Sequence, residues 1–499
     1  MSDKFINAMT EDASFSKTAN GMTCRSTTGS YLLDFFASLG ALRQSDENAI
    51  SSLFYKAFDE NPELSIKSVF YGRDLRGGLG ERRVFRVLMR YIACNHPQIA
   101  RQNLHLVPFY GRWDDLYVFV GTPVEQDMWK FMSETFFDDL KKMEDGKPIS
   151  LLAKWMKCWN SGNAQSRSLG RKTARALHMS DYRLQKTLAK MRSYLRVVEV
   201  KMSANEWNDI SYENVPSRAM MKYRCAFARH DRVGFSKYLG AVSSGEKKIN
   251  ANTLYPYDLV GKYIGDISYD CGTRRYTHEV RLTDDVVEAQ WKALPNYIEG
   301  ENNVLVMVDT SGSMRGMPIN SAVGLGIYFA ERNSGPYKNK IMSFSNNPVF
   351  VDVVGQTLNE KVRSCLSAHW MMNTDISAAM QKILDVAVEN HLSNEDVPKA
   401  LVIVSDMQFD ACASMSMKED FYTYWKREFA YRGYEIPNVV FWNVNGPSTF
   451  HAKKDVLGVQ MFSGHSVSTF KDVLSSITMS PYDAMVKVLT SERYSPVKI

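Results

Sequence analysis

From Tyr31 to about Val120 the apolar positions recur three and four residues apart. Leu32, Leu33, Phe35, Phe36, Leu39 and Leu42 share one face, Ile50, Leu53, Phe54, Ala57 and Phe58 another, and Val84, Phe85, Leu88, Met89 and Ile92 a third. That spacing predicts short amphipathic helices, joined by Gly, Pro or Asn breaks with no alternating strands between them. No strict repeat period runs through them, which predicts an irregular solenoid of helical hairpins. At Val304 the pattern changes: Val304–Val308 and Ala400–Val404 are unbroken apolar runs, the signature of strands buried on both faces. Around them the sequence predicts helix 317–332, strand 340–345, a hairpin strand 348–354, helices 359–367 and 376–390, strand 399–405 and helix 417–431. Strands 438–444 and 458–463 and helices 467–476 and 481–489 complete an alternation that predicts a doubly wound α/β sheet. Between the two patterns lie a helix opening at Tyr255-Pro256, a polar segment around Cys271–Arg275 and a helix from Asp284 to Leu294.

Length fits this division, since 499 residues exceed one ordinary domain. The reading is multi-domain: a flexible or draped N-terminal segment 1–28, rich in Ser, Thr, Asn and Gly; an all-α helical repeat 29–299; and an α/β domain 300–499. No run of 18 apolar residues is present and Met1-Ser2-Asp3-Lys4 opens no signal-peptide core, so a soluble cytoplasmic protein without a membrane partner is expected. The seven cysteines form no CxxC pair, which argues against a zinc site or a disulfide framework.

The formal net charge of +6 conceals an asymmetry: residues 151–250 hold 20 Lys and Arg against 7 Asp and Glu. Arg167, Arg171, Lys172, Arg175, Arg183, Arg218 and Arg224 alternate there with Trp155, Trp159, Tyr182 and Tyr223. Leu184, Leu188, Met191, Leu195 and Val198 predict one helix over 182–200 within this stretch. Cations for phosphates and rings for bases are the composition of a single-strand nucleic-acid surface; the competing reading is a set of amphipathic helices whose solvated faces are rich in Lys and Arg. A second basic group, Arg73, Arg76, Arg82, Arg83 and Arg112, sits in the Gly-rich stretch 71–83 and in Gly111–Leu116. Such turns present backbone N–H groups and guanidinia to phosphates. The interleaved Asp74, Asp114 and Asp115 give the competing reading, in which the arginines lock helix corners.

The buried run Val304–Val308 ends in Asp309-Thr310-Ser311-Gly312-Ser313, and the run from Ala400 ends in Ser405-Asp406. In open α/β sheets ligands bind at the carboxyl ends of the strands. Carboxylate and hydroxyl oxygens there suit a hard divalent cation. The alternative is that these residues cap loops and the following helix. Asp309, Ser311, Ser313, then Thr374 in Asn373-Thr374-Asp375, then Asp406, resemble the metal-ion-dependent adhesion site of von Willebrand factor A (vWA) domains. The resemblance implies a Rossmann-like vWA fold and makes those five residues ligands of Mg²⁺, or of Mn²⁺ or Ca²⁺, directly or through water. It also implies a protein partner that completes the ion's coordination with its own carboxylate.

Residues 73–83, 111–116, Trp207–Ile210, Val215–Ala219 and Lys248–Pro256, followed by that domain, resemble a Ro-related family similar to the Ro/TROVE proteins. The resemblance implies a HEAT-like helical repeat closed by a vWA domain. Ro proteins bind small structured and misfolded RNAs, so RNA, including single-stranded ends, is the implied partner, held by a monomer. No HExxH or GxSxG motif occurs, and no positioned Lys accompanies Asp309, so no enzymatic activity is expected.

Overall fold

Helix starts in the first half follow caps written in the sequence. The Ser30 hydroxyl accepts from the Leu33 N–H, the Asp46 carboxylate from Asn48 and Ala49, the Asn61 side chain from Leu64 just ahead of Pro62, and Ser180 from Arg183. Each satisfies an N–H the first helical turn leaves unpaired. The computed structural model describes residues 14–270, 275–298, 303–344, 347–367, 374–411, 419, 421–446 and 449–499. Residues 1–13, Cys271–Arg274, Asn373 and positions 417, 418 and 420 of the expected helix start lie outside the described residues.

The chain opens with a hairpin, β1 (Phe15–Lys17) and β2 (Thr23–Arg25). A helical region follows, made of α1 (Tyr31–Ser38), α2 (Glu47–Glu60), α3 (Pro62–Arg73), α4 (Arg82–Asn95), α5 (Pro97–Gln102), α6 (Leu106–Tyr110) and α7 (Glu125–Glu144). It continues through α8 (Leu152–Trp155), α9 (Ala164–Ala176), α10 (Asp181–Tyr194), α11 (Val198–Ser203), α12 (Ser217–His230), α13 (Arg232–Ser243) and α14 (Pro256–Val260). A second hairpin, β3 (Ile264–Asp270) and β4 (Arg275–Val280), precedes α15 (Asp285–Lys292).

The C-terminal region is a six-stranded sheet of β5 (Val304–Val308), β6 (Lys340–Ser343), β7 (Phe350–Asp352), β8 (Ala400–Ser405), β9 (Asn438–Asn443) and β10 (Val459–Ser463). Their spatial order is β10-β9-β8-β5-β6-β7, all parallel except the edge strand β7. Helices α16 (Met317–Arg332), α17 (Leu358–Ser367), α18 (Ile376–Glu389), α19 (Phe421–Tyr431), α20 (Thr469–Ser476) and α21 (Pro481–Leu489) connect and cover it. Every residue of β5, β8 and β10 is buried, as two covered faces require. Strand order reverses between β5 and β8, the switch point at which an open sheet leaves a crevice.

The two regions are fastened at several points. Phe36 of α1 meets Phe462 of β10 edge to face at 6.1 Å, and the Gly40 N–H donates to Ser463 Oγ at 2.8 Å. A Cβ at Gly40 would overlap the backbone of Gly464. The buried Asp74 pairs with Arg493, and Tyr110 stacks on Tyr494 at 5.7 Å. The end of the helical region returns to its beginning: Tyr255 lies against Gly80, and Arg43, paired with Glu81, sits 5.8 Å over the Tyr257 ring and 2.7 Å from the sulfur of Met317. One apolar core runs from Met22 through the first helices into the sheet, and a smaller one gathers Val198, Phe227, Phe235, Tyr238 and Val286.

Three sequence expectations are refined. Of the two readings of the N-terminal segment, flexible or draped, residues 14–28 take the second, as the first hairpin with Met22 and Cys24 buried. The residues flanking the polar segment near 271, Ile264–Asp270 and Arg275–Val280, pair as the β3–β4 hairpin. The helix expected over 182–200 breaks into α10 and α11 because Arg196 takes a left-handed φ of 53°.

Candidate metal and nucleic-acid sites

Parallel register sets the first site. Val308 lies opposite Val404, and the Asp309 N–H donates to the Val404 carbonyl at 3.0 Å, so β5 and β8 deliver Asp309 and Ser405-Asp406 side by side. Asp309 is fully buried: its Oδ1 accepts from the Ser311 N–H at 2.8 Å and its Oδ2 from Ser405 Oγ at 2.6 Å. Ser311 Oγ and Ser313 Oγ stand 3.1 Å apart. Asp406 is 4% exposed and accepts from the Gln408 N–H at 3.3 Å. Between them Met407 adopts a left-handed φ of 64°, and its N–H reaches back to Ser405 Oγ at 3.0 Å. Burial, and then the facing Asp406, push the Asp309 carboxyl up to about 6. Burial raises Asp406 too, while hydrogen bonds from Ser313 and the Gln408 N–H oppose the rise.

Two buried carboxylates that destabilise each other's charge, flanked by hydroxyls, fit a hard divalent cation: it would relieve the repulsion and take oxygen ligands. Asp309, Ser311, Ser313 and Asp406 are the residues that would hold it. Among the described residues no group of three or more His, Cys, Asp or Glu side chains is gathered for a metal ion, here or elsewhere, so at this site the hydroxyls would have to complete the two carboxylates. Thr374, the fifth residue expected here, is tied to the same loop further on. Its N–H donates to Asp410 Oδ2 at 2.8 Å, and its Oγ1 lies 3.0 Å from both Asp410 Oδ1 and the Gln408 carbonyl. Sequence reasoning missed Ser405 and Asp410, although both sit within five residues of Asp406 on a loop at the strand end. It also missed Asn20, whose amide donates to Thr374 Oγ1 at 3.1 Å from the N-terminal hairpin.

The twelve basic residues expected at nucleic acid divide by their partners. Arg73 is corrected: it is 1% exposed, locked on Asp115 at 2.8 Å, and cannot reach a phosphate. Arg112 is paired with Asp114 and lies 3.8 Å over the Trp155 ring, Arg218 is paired with Asp258 at 2.9 Å, and Arg224 with Asp284 at 2.5 Å. Arg76, Arg83 and Arg167 donate to backbone carbonyls, of Phe109, of Arg43 and Ser45, and of Ser161 and Gly162. Arg82 is exposed beside Arg86 and Arg112, and burial together with those neighbours lowers its pKa. Arg171 and Lys172 have only long contacts of 4.0 Å, to Asp181 and Glu125, and Arg175 and Arg183 are exposed. These last four lie on α9 and α10; Tyr182 of α10 is 61% exposed, and Trp159, in the turn between α8 and α9, is 37% exposed and donates from Nε1 to Gln185 of α10 at 3.0 Å. No described helix is long and apolar enough to cross a membrane.

Uncharacterized protein L728 of Acanthamoeba polyphaga mimivirus is 28% identical to this chain over 527 residues, spanning 98% of the chain and 89% of that protein. Residues 303–495 match the Domain of unknown function (DUF7788), which begins just ahead of β5. Residues 18–145 and 153–303 match the Domain of unknown function (DUF2828), so the helical half and the turn and second strand of the N-terminal hairpin share one family. Because that match takes in more than half of the residues, the chain belongs to the DUF2828 family.

Proposed function

We propose that the protein is a non-catalytic RNA-binding scaffold, a cytoplasmic monomer whose basic helical region holds RNA and whose C-terminal region is a vWA-type domain with a Mg²⁺ site. The observation that carries this reading is the surface of α9 and α10. Among the described residues Arg171, Lys172, Arg175 and Arg183 have no close carboxylate partner, and the rings of Tyr182 and of Trp159, which bonds Gln185 of α10, are exposed. Free guanidinia neutralise phosphates, and exposed rings take unpaired bases. The resemblance of motifs 73–83 and 111–116 to Ro-related proteins supports the same reading, with HEAT-like helices as the RNA-bearing part.

The test is binding of a fluorescent single-stranded RNA across a salt series. Affinity should fall with salt, and Arg171→Gln with Lys172→Gln and Arg175→Gln should flatten the log–log slope by about one per phosphate contact removed. Asp309→Ala should leave RNA affinity unchanged. A slope indifferent to the triple variant would falsify the assignment of this face.

A second reading, a metal-dependent module that captures a partner's carboxylate, is favoured by one observation: the buried Asp309 and Asp406 at the switch point. Partner capture lost with EDTA and with Asp309→Ala, yet resistant to RNase, would make it the principal activity.

A further inference from the structure

We propose that the tip of the N-terminal hairpin, Thr18 to Gly21, is a working part of the candidate ion site, with Asn20 as a positioning residue for the Thr374 hydroxyl. This rests on reading Asp309, Ser311, Ser313, Thr374 and Asp406 as ion ligands, and goes beyond it by adding a segment more than 280 positions away in the chain.

The tip is built to dock. Thr18 Oγ1 donates to the Phe409 carbonyl at 2.6 Å and accepts from the Met22 N–H at 2.9 Å, which closes the turn. Gly21 takes a φ of +93°, open to glycine, so Asn20-Gly21 reverses the chain at this point. The Ala19 N–H donates to Gln408 Oε1 at 2.7 Å, and the Ala411 N–H donates to the Asn20 carbonyl at 3.1 Å. Both hydrogens of the Asn20 amide are used: one on the Gln408 carbonyl at 2.7 Å, one on Thr374 Oγ1 at 3.1 Å. The hairpin is thereby stitched along the whole of 408–411, the continuation of the strand end that carries Asp406.

What this does to Thr374 follows from counting. A hydroxyl has one hydrogen and two lone pairs. The hydrogen of Thr374 points to Asp410 Oδ1 or the Gln408 carbonyl, each 3.0 Å away, and one lone pair accepts from Asn20. One lone pair is left without a donor among these contacts, and at 2% exposure no bulk water competes for it. A hydroxyl that ligates a cation, or a water on that cation, must present a lone pair and turn its proton away. Asp410 Oδ1 and the Gln408 carbonyl are the acceptors that draw the hydrogen away, and Asn20 removes the remaining rotational freedom. Ion binding and hairpin docking then stabilise each other by the same factor, because linkage is reciprocal.

The experiment uses the full chain and Mn²⁺ as the probe, with free Mn²⁺ read by electron paramagnetic resonance. Asn20→Ala should weaken Mn²⁺ about tenfold, the usual penalty for losing a group that orients a ligand. In parallel, hydrogen exchange at the Ala19 and Ala411 amides should slow when Mn²⁺ is added to the natural chain, and should not respond in Asp309→Ala. A purely structural hairpin would give neither result. If Asp309→Ala abolishes Mn²⁺ binding while Asn20→Ala leaves it unchanged, or tightens it because the tip blocks the site, the positioning role is overturned and the ion site stands. If Asp309→Ala still binds Mn²⁺ normally, the ion site itself is wrong and the proposal goes with it.

Discussion

Asp309 is a carboxylate sealed at the end of a buried strand, and its chemistry is governed by that position. Burial and the facing Asp406 raise its pKa from 3.8 to about 6, so the folded chain keeps a proton that the unfolded chain releases. Between those two values the native state binds more protons, and stability therefore falls as pH rises through about 4 to 6. In chelator at pH 7.5, Asp309→Asn should be more stable than the natural chain by about 3 kcal/mol. The difference should vanish well below pH 3.8, where both states are protonated, and urea unfolding on either side of that range measures it. Asn fits because Ser405 can turn its hydroxyl to accept in place of donating. Added Mg²⁺ should reverse the order, since it stabilises only a chain that binds it. A variant less stable than the natural chain in chelator at pH 7.5 would sink this account. At this scale Asp309, Ser311, Ser313 and Asp406 were legible because each adjoins a conspicuous apolar run. Ser405, Asp410 and Asn20 were not, because they act across 96, 36 and 354 positions of sequence, and no local pattern encodes such a contact.

Elements decide which arginines hold the fold and which are free for a ligand. Asp115, fully buried in the turn after α6, accepts from Arg73 of α3 at 2.9 Å and from Arg86 of α4 at 2.7 Å, and from the Arg112 N–H at 3.0 Å. It thus pins two helices to one corner. Asp115→Ala leaves the buried Arg73 charge without its partner and should cost about 3–5 kcal/mol. Arg171→Gln and Arg175→Gln, on exposed faces of α9, should stay within about 0.5 kcal/mol of the natural stability. Thermal unfolding of these variants separates the two classes, and a marked loss of stability in Arg175→Gln would remove α9 from the free surface. From sequence, α16 at 317–332 and the C-terminal strands were readable nearly to the residue, because continuous apolar runs and 3.6-residue periods are local. The break between α10 and α11 was not: Arg196 continues a helical pattern in type, and only its left-handed backbone ends the helix. Nor was the β3–β4 hairpin, whose polar residues carry no apolar alternation. The charge run over 151–250 was visible, but which cations were already spent on Asp258 and Asp284 depended on packing between distant helices.

For the whole molecule the consequence is that helical region and sheet do not stand alone, despite their separate sequence patterns. The apolar core is continuous from Met22 through α1–α10 to Tyr494 and Val497. The C-terminal tail is itself a fastening: Arg493 pairs with Asp74, Tyr494 Oη donates to the same carboxylate at 3.1 Å, and the Lys498 N–H and carbonyl bond the Asn103 side chain at 2.9 and 2.6 Å. Asp74 is buried, so removing the tail strands a carboxylate in the helical region and bares Tyr71 and Tyr110 around it. Residues 303–499 expressed alone should therefore bare Phe462 and Tyr494, bind a hydrophobic dye and aggregate, since α1 and α3 would no longer cover them. The full chain should melt in a single calorimetric transition, because a shared core offers no surface along which one part can unfold while the other keeps its packing. Two resolved transitions, or a well-folded monomer of 303–499, would mean that the contacts made by Phe36, Asp74 and Asn103 contribute little. The helical region would then be a separable module, not a partner in one fold.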